Sequence, residues 1–383
     1  MHVAVIGAGV FGTWTAHHLL AAGAAVTLID ADGPAHSRSS SGDETRILRC
    51  GYGTERVYSE FACRSLHQWR ELDRRLRPHQ APIWHPCGVL WIAAADDAYV
   101  AATIETLRTI GYRMDVLTDA MVRARFPDLR AEDGTVALFE PEAGMLMARR
   151  SVQALAADLQ RRGVRVLRGH VPPPDPPRNG KAAMKTVSVD DGTNVSAEAF
   201  VFACGAWLGR VFPDPLGAVI RPTRQVVVYF GTPAGDRFSA SRMPAWIARP
   251  GVYGIPDVEG RTVKVGIHEP GPPMDPDSDD RRVDAASVEI ARRWLAHYMP
   301  ALADAPVVES RVCQYENTDT GDFVIDRHPA YDNVWIVGGG SGHGFKHGPA
   351  VGELVARLVT TGAATDTRFS LASRTMAARR AVY

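Results

Sequence analysis

Lysine is almost missing from this 383-residue chain: Lys181, Lys185, Lys264 and Lys346 are the only four, and arginine supplies the other 39 of 43 basic residues. Chemistry that needs an ammonium group has few places to be. Cysteine is scarce as well. The five (Cys50, Cys63, Cys87, Cys204, Cys313) are odd in number and form no C-x-x-C pair, which speaks against a disulfide scaffold and a zinc ribbon. Most should be reduced thiols packed as small apolar residues. No uninterrupted apolar run reaches the ~18 residues of a membrane span; the longest, from Leu19 to Ile29, is broken by glycine and threonine. Net charge is absent too, with 43 basic against 43 acidic residues, so a general electrostatic grip on nucleic acid or an anionic membrane is not expected. The chain starts directly on an apolar strand pattern with no basic segment or cleavage site before it, which predicts a cytoplasmic protein.

What is present begins at the N-terminus. Val3 to Ile6 is a continuous apolar run of the kind shown by a strand buried on both faces. Gly7-Ala-Gly9-Val-Phe-Gly12 follows at once, then a helical pattern through Ala16, Leu19 and Leu20 ending at Gly23, then a second strand ending at Asp30. A G-x-G-x-x-G turn between strand and helix, with an acid at the end of the next strand, is the Rossmann dinucleotide fingerprint. Gly7 allows the tight turn, Gly9 lets the backbone approach a pyrophosphate, Gly12 permits close packing, and Asp30 can accept from an adenosine ribose. No second such turn exists, because His343 stands where Gly338 to Gly344 would need its third glycine. One dinucleotide is expected, not two.

Further along, helical patterns run from about residue 45 to Leu76, and a mixed segment occupies 81–145. Val164 to Leu167, Thr186 to Val189 and Phe200 onward read as strands around a solvated proline-rich stretch, 171–180. Strands and turns alternate from Arg224 to His268; an acidic, solvated loop, a helix over 283–299, the buried strand Val334 to Val337 and a last helix near 350–359 complete the chain. The predicted class is α/β: a discontinuous Rossmann-type domain (1–80, 146–220, 309–383) with an inserted α+β domain (81–145, 221–308) built on an antiparallel sheet. Ligand chemistry would lie between them.

Four segments carry candidate chemistry. In Lys264-Val-Gly266-Ile-His268 the alternation of a strand puts Lys264 and His268 on one face, about 13 Å apart, with Gly266 between them leaving room for a flat ring. Cys313-Gln-Tyr315 does the same for a thiol and a phenol. Arg46 and Arg49, three residues apart, would share a face if helical, and arginine forks suit carboxylates. Ser341-Gly-His-Gly-Phe-Lys346 joins a buried strand to a helix, so its N–H groups favour negative charge. His343 and His347 have the spacing of metal ligands on a helix, but Gly342, Gly344 and Pro349 argue against a regular helix, and no metal is expected.

Together these segments resemble the monomeric sarcosine oxidase and N-methyltryptophan oxidase family of the D-amino-acid-oxidase superfamily. The resemblance spans nearly the whole chain and rests on GAGVFG with Asp30, TRILR at 45–49, ACGAW at 203–207, PTRQVV at 222–227, YGIP at 253–256, KVGIH, CQY and SGHGFK. It implies FAD at the domain interface, bonded covalently through Cys313. It implies Arg49 and Lys346 on the substrate carboxylate, Tyr315 and His268 beside the reacting carbon, and Lys264 activating oxygen on the opposite flavin face. Arg46 matches the flavin-side arginine, Gly342, His343, Gly344 and Phe345 the flavin-binding loop, and Tyr253 and Ile255 the substrate cavity. The chain departs from the family at Ser41-Gly-Asp-Glu, where S-H-H-G-D is usual, and at Ile255, where an aromatic is common. The implied activity is oxidation of a secondary amino acid, N-methyl or cyclic, to an imine by a monomer, with O2 reduced to hydrogen peroxide. A dehydrogenase using another electron acceptor and a primary amino acid oxidase of the same fold remain as alternatives, as does an NAD-dependent dehydrogenase from the first glycine turn alone. A relative that binds or modifies RNA is disfavoured by the balanced charge.

Overall fold

The computed structural model describes residues 1–177, 180–248 and 251–375. Positions 178–179 of the proline-rich stretch and 376–383 of the expected cofactor domain lie outside the described residues. Among the described residues no helix is long and apolar enough to cross a membrane.

Six strands form one sheet in the order Val324–Arg327, Val334–Gly338, Ala199–Phe202, His2–Ile6, Ala25–Asp30, Arg165–Arg168, all parallel except the first. Four of the parallel ones read as near-continuous apolar runs because both faces are covered. The helix Val10–Ala21 leaves the central strand through the glycine turn. Gly7 has φ +102°, and a Cβ added there would stand 2.4 Å from Ala203 O; one added to Gly12 would stand 1.8 Å from Gly7 O. Strand end, turn and neighbouring strand meet backbone to backbone, so only glycine fits.

An eight-stranded sheet, antiparallel except where Ala245–Ala248 runs parallel to Val89–Ala94, holds Val307–Asn317, Arg221–Phe230, Val263–Ile267 and Val252–Ile255 side by side at one end. Strand alternation divides its residues. Val228, Phe230, Val263 and Val265 pack with Ala291 and Leu295 of the helix Ala285–Tyr298. The opposite face carries the chemistry-bearing residues: the register sets Lys264 against Tyr229 and Ile255, Gly266 against Val227 and Tyr253, Cys313 against Gln225, and Tyr315 against Thr223. The two alternating motifs read separately from the sequence thus share one surface.

Three expectations need correction. Val307–Asn317 pairs along its length with Arg221–Phe230, so the strand carrying Cys313 and Tyr315 belongs to the eight-stranded sheet and not with the segment expected to begin at 309. Thr45–Leu48 is a strand, paired with Gly144–Met147, and Arg49 follows its end; Arg46 and Arg49 do not share a helix face. The helical pattern begins only at Arg56–Leu76, because β-branched Thr45 and Ile47 pair across to Met147 and Met145. The acidic loop after Pro270 is also more than solvated: Arg38 donates to Pro276 O at 2.9 Å and Trp207 Nε1 to Asp277 Oδ1 at 2.7 Å, tying the loop across to the six-stranded sheet's side.

Candidate active site

A cleft of about 510 Å³ runs along the C-terminal end of the parallel strands, from Asp30 and His170, past Gly9 and Ala206, to Arg46 and Cys313. Such a crevice is where open α/β sheets take ligands. Asp30 Oδ2 accepts the Ala8 N–H at 2.6 Å, and Oδ1 accepts those of Asp32 and Gly33 at 3.1 and 2.8 Å. A carboxylate has about four acceptor positions, so Asp30 can still take a ribose hydroxyl. Burial raises its pKa, and the Ala8 N–H pulls it back. A Cβ at Gly9 would approach nothing nearer than Ser41 Oγ at 3.5 Å and would stand in the cleft itself, so the glycine keeps the cradle open. Ser41 accepts the Val10 N–H at 3.1 Å, where the family's histidine-rich motif differs. Length, acid and open cradle suit an FAD.

A second cavity of about 50 Å³ shares Arg46, Cys313, Tyr315, Gly342 and Phe345 with the cleft and adds Arg49, Tyr253 and Lys346. Arg49 is 1% exposed, its guanidinium lying 4.3 Å from the Tyr52 ring centre and 4.6 Å from that of Trp91, and it donates to Gly51 O. Glu140 fixes this frame by accepting from Cys50 N at 2.6 Å, Gly51 N at 3.2 Å and Trp91 Nε1 at 2.9 Å. Lys346 Nζ donates to Tyr52 OH at 2.7 Å and His343 O at 3.1 Å. Burial, and then the nearby Arg49 charge, hold the Lys346 ammonium well below its ordinary pKa. The same causes, with Lys346 added, hold His268 well below the usual imidazole range, so it is neutral. Two buried cations at one wall make a place where an anion relieves repulsion.

His268 Nδ1 lies 3.3 Å from Tyr315 OH, and both rings crowd Gly342, where a Cβ would stand 2.5 Å from Tyr315 Cε2 and 2.8 Å from His268 Cε1. Cys313 Sγ lies 3.6 Å from Arg46 Nη2, at the border of cleft and chamber. Arg46 also pairs with Asp43, as does Lys264, which donates to Thr45 O at 3.0 Å; Tyr229 OH donates to the same carboxylate. Desolvation would raise the Asp43 pKa, but Lys264 and Arg46 overcome it and hold the carboxyl far below the usual range. Burial lowers Lys264, opposed by Asp43.

Several sequence expectations shift in detail. Lys264 stands behind Asp43 and does not itself line the chamber. Gly266 does leave room for a ring, but that ring is the chain's own: a Cβ there would stand 2.4 Å from Tyr253 OH. Ile255 packs with Met145, Met147 and Val258 instead of lining the chamber, because it is level with Lys264, about 7 Å further along the strand than Tyr253. In the 341–346 loop the N–H groups of His343 and Gly344 both donate to Gly340 O, at 2.9 and 2.8 Å, so those two amides serve the turn and not a ligand. His343 and His347 bond Tyr52 OH through ring nitrogens at 3.3 and 2.7 Å. Sequence reasoning missed Tyr52, Trp91, Glu140 and Tyr229, which carry no motif; Asp43 stood in the departing Ser-Gly-Asp-Glu segment, the one available signal.

Comparison with known proteins agrees with this architecture. A family profile described as "DAO: FAD dependent oxidoreductase" matches residues 2–358. Monomeric sarcosine oxidase from Bacillus sp. (strain NS-129) is 32% identical over 367 residues, covering 94% of this chain and 93% of that one. N-methyl-L-tryptophan oxidase from Salmonella heidelberg (strain SL476) is 26% identical over 363 residues, covering 92% of each. Among solved structures, a modified fructosyl peptide oxidase from Aspergillus nidulans superposes with a TM-score of 0.83 at 18% identity, covering 96% of this chain and 92% of that one. L-proline dehydrogenase from P. horikoshii gives 0.82 at 22%, covering 96% and 95%. These last two share the fold.

Proposed function

The chain belongs to the DAO family of FAD-dependent oxidoreductases, and from that premise we propose that it is an amine oxidase converting a secondary amino acid, N-methylated or cyclic, to its imine with O2 reduced to hydrogen peroxide. The observation that carries this reading is the buried Arg49 and Lys346 pair on a small chamber sharing five wall residues with the cofactor cleft.

FAD bound in the cleft supplies the acceptor for the two electrons of the substrate C–H bond. The glycine turn and Asp30 hold its dinucleotide end, and Arg46, Gly342 and Phe345 border its ring. Arg49 and Lys346 take the substrate carboxylate by charge-assisted bonds, strengthened because the chamber is shielded from water. His268, held neutral by burial and by the two neighbouring cations, accepts a hydrogen bond at a ring nitrogen from the N–H of an amine that binds already deprotonated, with its lone pair available. Tyr315 and Tyr253 then orient the reacting carbon. Water hydrolyses the imine after release. Around Asp43, the cations Lys264, Arg46 and Arg311 outweigh Asp43 and Glu309 by one positive charge, which favours the anion formed as oxygen is reduced.

A peroxide-coupled screen of N-methyl, cyclic and primary amino acids on the purified yellow protein tests the reading. Peroxide from N-methyl or cyclic substrates is expected. Substrate-dependent dye reduction without peroxide overturns the oxidase half, and turnover of primary amino acids alone overturns the substrate half. Cys313 is read as the covalent anchor through a thioether to the flavin 8α carbon. Acid precipitation should leave the yellow colour in the pellet, and Cys313→Ser should move it to the supernatant. Release of the colour from unmodified protein would remove Cys313 from that role.

A further inference from the structure

Glu316 follows Tyr315 on the strand Val307–Asn317 and lines the cofactor cleft. It is 8% exposed. Its Oε1 accepts the Gly340 N–H at 3.2 Å, and its backbone carbonyl accepts the Ser341 N–H at 3.2 Å. Among the described residues, no donor reaches Oε2. A buried carboxyl oxygen without a partner is costly, and native structures tolerate one where a ligand completes the bonding.

The space around this carboxyl is built by three glycines. A Cβ at Gly340 would stand 2.9 Å from Oε1, one at Gly338 3.4 Å from Oε2, and one at Gly205 3.6 Å from Oε2. They come from two segments of the six-stranded-sheet side, Gly338 and Gly340 at the end of the strand Val334–Gly338 and Gly205 in the turn after Ala199–Phe202, and hold the carboxylate end against the cleft. Burial pushes the carboxyl up to about 7, with the Gly340 and Gly339 N–H groups opposing. A donor delivered to Oε2 would add the contact that the ionised form needs.

Position along the cleft identifies the donor. Glu316 lies between the glycine turn of residues 7–12, which takes the diphosphate, and the border residues Tyr315 and Gly342, which face the ring. The part of FAD joining diphosphate to ring is the ribityl chain, a run of hydroxyl donors. We propose that Glu316 is a cofactor-binding residue whose Oε2 accepts a hydrogen bond from a ribityl hydroxyl of FAD. This rests on the reading of the cleft as the FAD site.

The test uses full-length protein with Cys313→Ser, so that the cofactor exchanges, and follows flavin fluorescence as apoprotein is titrated with FAD. A parallel titration uses an FAD analogue carrying an unhydroxylated five-carbon chain in place of ribityl. Adding Glu316→Leu is expected to weaken FAD binding about 10- to 100-fold, the range for losing a hydrogen bond to a charged group, while leaving analogue binding unchanged. Unchanged FAD affinity, or an equal loss for both ligands, overturns the proposal, the second marking Glu316 as structural. If circular dichroism shows the leucine variant unfolded, Glu316→Gln keeps an acceptor for Gly340 and should still weaken FAD about 3- to 10-fold, with the analogue again unaffected. Failure of FAD to bind when Glu316 is intact would instead refute the reading of the cleft.

Discussion

Replacing Arg49 with methionine is expected to lower kcat/KM for an amino acid substrate by about 30- to 1000-fold, about 2–4 kcal/mol, mostly through KM. The loss is large because the guanidinium is desolvated between Tyr52 and Trp91, so a carboxylate meeting it gains a charge-assisted bond without competition from water. Methionine keeps a flexible apolar body in the same aromatic slot, which limits structural damage. Arg49 lines the chamber and not the cleft, so the flavin absorption spectrum should change little. The control is an amine without a carboxylate, whose kinetics should barely move; if it loses as much as the amino acid, Arg49 does not meet the carboxylate. Lys346 adds a pH signature. Its pKa is depressed by burial and by Arg49, so raising pH removes its proton, and carboxylate inhibitors should bind more weakly as pH rises, a slope that Lys346→Met flattens.

Changing Lys264 to methionine is expected to slow reaction of the reduced enzyme with oxygen by about 100- to 1000-fold while sparing anaerobic reduction by substrate. Lys264 lies behind Asp43, so it acts through the net charge of that cluster, which falls from plus one to zero when the ammonium is removed; a 100- to 1000-fold slowing corresponds to about 3–4 kcal/mol. The same change costs stability, because Asp43 loses one of its cations. Arg46 and Tyr229 remain on that carboxylate, so the loss should stay below the ~3–5 kcal/mol of a fully broken buried pair, and the melting temperature should fall measurably. Stopped-flow reoxidation separates the two effects. A lower melting temperature with a normal oxygen rate would make Lys264 only the structural partner of Asp43.

Much of this was legible along the chain where a requirement is local. Gly7 and Gly12 are demanded by backbone contacts within one strand–turn–helix unit, and Asp30 by its place at the next strand end. Lys264, Gly266, Cys313 and Tyr315 could be assigned faces because side chains on a strand alternate with a period of two. Arg46 and Arg49 were less legible. Their spacing suits a helix, but pairing with Gly144–Met147, about a hundred residues away, makes the segment extended.

By itself the sequence determined the glycine turn, the acid at Asp30, the faces of the strands carrying Lys264 and Cys313, and a supply of positive charge that is almost all arginine, with only four lysines. Only the tertiary structure decided what those charges meet: Asp43 before Lys264, Tyr52 and Trp91 around Arg49, Tyr253 over Gly266, and a cleft facing Glu316. The reason is range. Turns and alternation follow from bonded geometry over a few residues, whereas a buried charge is set by desolvation and by partners that folding brings from distant segments, as Lys264 and Asp43, separated by 221 positions, illustrate.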